Sequence, residues 1–174
     1  KNFSGNVLFL DRSDINTDEI IPARHLTGIS KEALKPYLFE DIRLEMFDSE
    51  RDVAGKSIII SRSNFGCGSS REHAVWALPA NGINLVIAQS FARIFKQNMF
   101  NCGMMAVELP EKTIHQIFND FCTDHTRIET DLEASEFLLK AGRSAKRIAF
   151  SISDFHRALI ETMGWIEYAD LNYS

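Results

Sequence analysis

The sequence predicts an α/β fold: a mostly parallel central sheet with antiparallel strands added to it. Two observations carry this. Short, apolar, β-branched runs recur at residues 7–10, 56–62, 83–88 and 104–109, separated by stretches with helical patterning, and near-continuous apolar strands of this kind pair in parallel through crossovers. Beyond residue 126 the pattern changes. Residues 127–132 and 146–152 read as strands, with Ala141-Gly142-Arg143 as a turn between them, which is the mark of an antiparallel addition.

In chain order, the first strand gives way at residue 11 to a stretch rich in Asp, Asn and Thr that contains Pro22 and Gly28 and reads as a long irregular loop. Ser30 is placed to cap a helix over 31–39, and 42–52 is a connection without a clear pattern. After the strand at 56–62 comes a glycine-rich turn and then a helix from Ala74, with Pro79 and Gly82 as stop signals. Ser90 is placed to cap a helix over 91–101, and Gly103 follows its end. Ile114, Ile117, Phe118 and Phe121 give 111–122 an amphipathic helical period. Asp154 is placed to cap a last helix over 155–163, and residues 165–168 close the chain. There is no internal repeat, low-complexity tract or linker, so the expectation is one domain over 1–174.

Composition narrows the function. The chain has 174 residues, a net charge of −5 and scattered basic residues, which argues against nucleic acid as the main partner. No apolar run is long enough to span a bilayer, and the residues present show no signal peptide, so no membrane association is expected. Cys67, Cys102 and Cys122 are an odd count without C-x-x-C spacing, which argues against a disulfide framework and against a metal or iron–sulfur site made by this chain alone. Free thiols fit a reducing, cytoplasmic setting.

The chemistry concentrates in Asn64-Phe65-Gly66-Cys67-Gly68-Ser69-Ser70-Arg71-Glu72-His73. The glycines let a ligand approach the main chain, and the amides that open the following helix favour an anion. The run lacks the third glycine of a dinucleotide fingerprint, the Gly-Lys-Ser/Thr of a phosphate loop, and the Gly-x-Ser-x-Gly of a nucleophile elbow. One reading is purely local: Ser69-x-x-Glu72 has capping-box spacing. A second makes Cys67, with His73 nearby, a thiolate nucleophile. A third is a carboxylate site. Arg71 and Ser70 grip the acid, and a serine alkoxide, favoured beside an arginine and a helix N-terminus, takes a proton from the adjacent carbon.

This run, with Ser90-Phe91-Ala92-Arg93-Ile94-Phe95, resembles the signature of the aconitase C-terminal swivel domain. Asn16-Thr17-Asp18-Glu19-Ile20-Ile21-Pro22-Ala23-Arg24 is similar to the opening of its stand-alone form, the 3-isopropylmalate dehydratase small subunits. The resemblance covers residues 7–168 and implies a β/β/α swivelling domain. It also implies a hydro-lyase reaction, dehydration followed by rehydration, in leucine biosynthesis. The resemblance further implies an active site shared with a large partner subunit that holds a [4Fe-4S] cluster. By position, Ser69 matches the family's general base, and Ser70 and Arg71 match binders of the substrate carboxylate. Arg24 lies in the specificity loop as a further carboxylate binder, and Asp18 orients an arginine from behind. In homoaconitase-like relatives an arginine for an extra carboxylate stands where this chain has Thr27. Leu26 and Thr27 therefore point to a substituted malate such as isopropylmalate, with citramalate and dimethylmalate open, as is a non-catalytic anion-binding module.

Overall fold

The computed structural model describes residues 3–26, 30–69, 71–164 and 169. Seven strands form one sheet in the order β4-β3-β2-β1-β5-β6-β7. In chain order β1 is Gly5–Phe9, β2 Ile58–Ile60, β3 Leu85–Ala88, β4 Met105–Glu108, β5 Arg127–Asp131, β6 Glu136–Ala141 and β7 Ser144–Ala149. The first four pair in parallel and the last three are added antiparallel, β5 on β1. Ile58, Ile59, Ile60, Leu85, Val86 and Ile87 are all buried, as befits strands covered on both faces. In the antiparallel half burial alternates, with Ile128, Phe137, Leu139 and Ile148 turned inward.

Among the described residues the α-helices are α1 Thr17–Ile20, α2 Ser49–Val53, α3 Glu72–Ala80, α4 Arg93–Asn101, α5 Glu111–Phe121 and α6 Asp154–Glu161. Among the described residues, no helix is long and apolar enough to cross a membrane. The helix α5 buries Ile114, Ile117, Phe118 and Phe121, and Phe118 meets Phe9 of β1 edge-on at 5.5 Å. The helix α4 packs on β4, α3 and α6.

Several local expectations are corrected. The loop at 11–28 contains α1, capped by a full capping box in which Asn16 accepts from the Glu19 amide and Glu19 reaches back to Asn16. The predicted helix at 31–39 is a 3-10 helix, Glu32–Tyr37, with Pro36 inside it; Ser30 Oγ still accepts from the Ala33 amide at 3.3 Å. A short helix, α2, lies in the unpatterned 42–52 connection. Pro79 sits in the last turn of α3 rather than ending it. Ser90 does not cap α4, which starts from Ala92; its hydroxyl instead accepts from the Asn64 amide at 2.8 Å. The cap of α6 is Ser153, not Asp154. The strand β6 was not expected, and it is β6 and β7 that the turn at 141–143 joins. Residues 165–168 lie outside the described residues.

Candidate active site

Parallel register sets up the site. Phe9, Ile60 and Ile87 lie side by side, so the chain leaves β1, β2 and β3 at one edge of the sheet. Ligands in open α/β sheets bind outside these carboxyl ends. Here three loops meet and are laced together. Ser61, buried at the end of β2, donates its hydroxyl to the carbonyls of Leu10 and Arg12, both at 3.1 Å. Asp14 N bonds Ser63 O, and Asn64 Nδ2 bonds the Asp14 carboxylate at 2.9 Å. Both residues have φ of 57°, a left-handed backbone uncommon outside glycine. Gly66 N then bonds Ile15 O, and Thr17 N bonds Cys67 O, each at 2.8 Å. On the other side Phe65 N bonds Ser90 O and Ala92 N bonds Phe65 O.

The glycine turn follows from close packing. Gly66 has φ +83°, and a Cβ there would lie 2.3 Å from the Phe95 ring of α4. Gly68 has φ +98° and passes over Thr17, whose hydroxyl is buried without a hydrogen-bond partner among the described residues. The turn delivers the chain to α3, whose N-cap residue is Arg71 in extended conformation. Among the described residues, no side chain caps this helix. The Ser69–Glu72 capping box is therefore not formed. Ser69 is exposed, and among the described residues its hydroxyl has no partner. Its carbonyl accepts from the Arg71 amide at 3.0 Å.

Arg71 turns its guanidinium toward α1, where Nη2 donates to the Asp18 carboxylate at 2.6 Å. Its Nε is buried without a partner among the described residues. Arg24, in the 3-10 turn Ala23–His25, sits apart from this pair in the hydrogen-bond network. It donates from both terminal nitrogens to Asp41, at 2.8 and 3.2 Å, and from one of them to Glu40. His25 stacks on Tyr37 at 3.6 Å and bonds Glu40 at 2.6 Å. Ser70 and Thr27 lie outside the described residues.

Burial, reinforced by Asp14, pushes the Cys67 thiol above its ordinary range, the wrong direction for a thiolate nucleophile. His73 packs edge-on against Trp76 at 4.5 Å. No disulfide joins Cys67, Cys102 or Cys122, which lie in the turn after β2 and just past the ends of α4 and α5. Among the described residues, no three His, Cys, Asp or Glu side chains converge to hold a metal. This donor set does not fit a cluster. Sequence reasoning missed the Arg12–Glu19 ion pair and the ties of Ser61, Asp14 and Asn64. The Asn16-x-x-Glu19 spacing was the available signal for the first of these.

Comparison with known proteins agrees with the geometry. Residues 2–112 match the aconitase C-terminal domain family. The chain is 40% identical over 163 residues to 3-isopropylmalate dehydratase small subunit 2 of Deinococcus radiodurans, covering 90% of this chain and 71% of that one. It is 38% identical over 173 residues to the 3-isopropylmalate dehydratase small subunit of Pseudoalteromonas translucida, covering 94% and 86%. The crystal structure of a 3-isopropylmalate dehydratase from Methanocaldococcus jannaschii superposes with a TM-score of 0.79 at 29% identity, covering 98% of this chain and 95% of that one. The chain belongs to the aconitase C-terminal domain family and, within it, to the small subunits of the 3-isopropylmalate dehydratases.

Proposed function

We propose that this chain is the small subunit of a 3-isopropylmalate dehydratase and completes the site that interconverts 2- and 3-isopropylmalate. The observation that carries the reading is an exposed serine hydroxyl two residues before an arginine already held by a carboxylate, at a helix start beside the strand ends. Arg71 grips a substrate carboxylate, with Ser70 beside it and Arg24 taking the second acid group. Ser69 Oγ, as the alkoxide, takes the proton from the carbon next to the carboxylate. The hydroxyl leaves the neighbouring carbon as water after taking up a proton from solvent, and a carbon–carbon double bond forms while Ser69 keeps the proton it removed. Rehydration runs the same steps in reverse with the hydroxyl on the other carbon. Fixed donors and the helix dipole stabilise the developing carboxylate charge without reorganising during the step.

The partner in this reading is the large subunit, bearing a [4Fe-4S] cluster; among the described residues of this chain no set of side chains would ligate it. Three cysteines outside any disulfide support a reducing, cytoplasmic setting. The test is co-expression with the large subunit under anaerobic conditions and assay of isopropylmalate interconversion. Wild type turns over. Ser69→Ala assembles with the partner and loses nearly all activity. Near-normal turnover by that variant refutes Ser69 as the base.

A further inference from the structure

One strongly built feature of the loops has no part in the reaction just proposed. Arg12 and Glu19 form a forked ion pair, each terminal nitrogen of the guanidinium meeting one carboxylate oxygen, and Glu19 is only 9% exposed. The same two side chains hold residue 43 by both of its backbone groups: Arg12 donates to the Arg43 carbonyl at 2.8 Å, and the Arg43 amide donates to Glu19 at 3.1 Å. Arg12 also donates to the carbonyls of Ser13 and Asp14, both at 3.2 Å, and Glu19 accepts from the Asn16 amide at 3.4 Å. Three segments thus meet on one ion pair: the exit of β1, the helix α1 and the connection that leads to α2.

Each of the last two segments carries the carboxylates that hold an arginine. Asp18, next to Glu19, pairs with Arg71. Glu40 and Asp41, just ahead of Arg43, pair with Arg24. Arg12, Asp18, Asp41 and Arg43 line a common cavity of about 530 Å³. We propose that Arg12–Glu19 is a positioning pair that sets where both carboxylate-binding arginines stand relative to Ser69. The proposal rests on the function argued above. A bidentate pair fixes direction as well as distance, and removing one member leaves the other, a buried carboxylate or a half-buried guanidinium, to find another arrangement. The segments bearing Asp18 and Asp41 are then free to shift, and the arginines shift with them.

The experiment uses the complete complex with the large subunit. Glu19→Gln keeps the shape and an acceptor for Arg43 but removes the charge. Arg12→Lys keeps the charge but loses the fork and the hold on the Arg43 carbonyl. Both variants are assayed for KM, for kcat per active site, and for assembly with the partner. A displaced arginine weakens substrate in ground and transition state alike, so KM rises roughly ten- to a hundredfold while kcat stays within about twofold. A pair that only stabilises the fold instead lowers the amount of assembled enzyme and leaves KM unchanged; that result overturns the proposal. Failure of both variants to fold assigns the pair to stability and also overturns it. If wild type itself does not turn over isopropylmalate, the functional reading fails, a result distinct from an unchanged KM in an active complex.

Discussion

Gly66→Ala tests the geometry on which the turn depends. Two costs add. At φ +83° an alanine pays for a left-handed backbone, about 1–2 kcal/mol. The new methyl would also sit 2.3 Å from Phe95 Cγ, 2.4 Å from Cδ1 and 2.8 Å from Cβ. Phe95 is buried and meets Phe65 edge-on at 5.8 Å, so its ring has no free direction in which to yield. Forcing a methyl into such packing costs about 1–3 kcal/mol. The sum is roughly 2–5 kcal/mol, which in a domain of this size lowers Tm by roughly 6–15 °C. The control is Gly55→Ala, where φ is +76° but nothing lies within 4 Å of the new methyl. It carries the backbone term alone and loses roughly 3–6 °C. Thermal unfolding of both variants beside wild type decides the matter. Equal losses in the two would refute the contact with Phe95 as the reason for glycine at position 66.

Other expectations concern charge and specificity. Hydrogen bonding to Arg12, more than any other cause, holds the Glu19 carboxyl below its ordinary range. Its contribution to stability is therefore complete above the unfolded glutamate pKa of about 4.3 and is lost as pH falls through the lower folded value. Unfolding measured down this range should show the gap between wild type and Glu19→Gln closing with acid. Burial, helped by Lys96, holds His156 below the ordinary imidazole value; the ring stacks on Phe100 at 3.9 Å and bonds Gln97 at 3.1 Å. Folding thus favours the neutral ring. That stability is present above about pH 6.5 and is lost as pH falls toward the depressed folded value. His156→Phe should flatten the stability profile there, and an unaltered slope would refute the assignment. Thr27→Arg should shift relative turnover from isopropylmalate toward tricarboxylates, because it supplies a partner for a third acid group; a constant substrate ratio would remove Thr27 from the specificity argument.

The parallel half of the sheet was legible because burial on both faces demands apolar, β-branched runs, and Ile58-Ile59-Ile60 and Leu85-Val86-Ile87 meet that demand. The strand β6 was not, because Glu136, Leu138, Lys140 and Ala141 are residues that also suit a helix. Only its pairing with β5 and β7 makes it a strand. The caps show the same limit. Ser90 and Asp154 have the right side chains one or two positions from the real caps, and Ser90 is drawn off by the Asn64 amide. The motif around Ser69 could be found from its residue types, but not the direction in which Arg71 turns. That depends on Asp18, 53 residues earlier, arriving on a helix that the loop-like composition of 11–28 concealed.

The capping-box spacings at Asn16 and Ser69 make a separation that local reading alone could not. Asn16-x-x-Glu19 forms its box in full and starts a helix of four residues. Ser69-x-x-Glu72 forms none: α3 begins two residues later than that box requires, with Arg71 as its N-cap, and the serine faces solvent. A capping serine contributes about 1 kcal/mol of stability, and its loss confuses any assay of function. A serine that caps nothing carries no such term. Ser69→Ala should therefore unfold with wild type, and whatever activity it loses belongs to the hydroxyl's chemistry and not to the start of the helix.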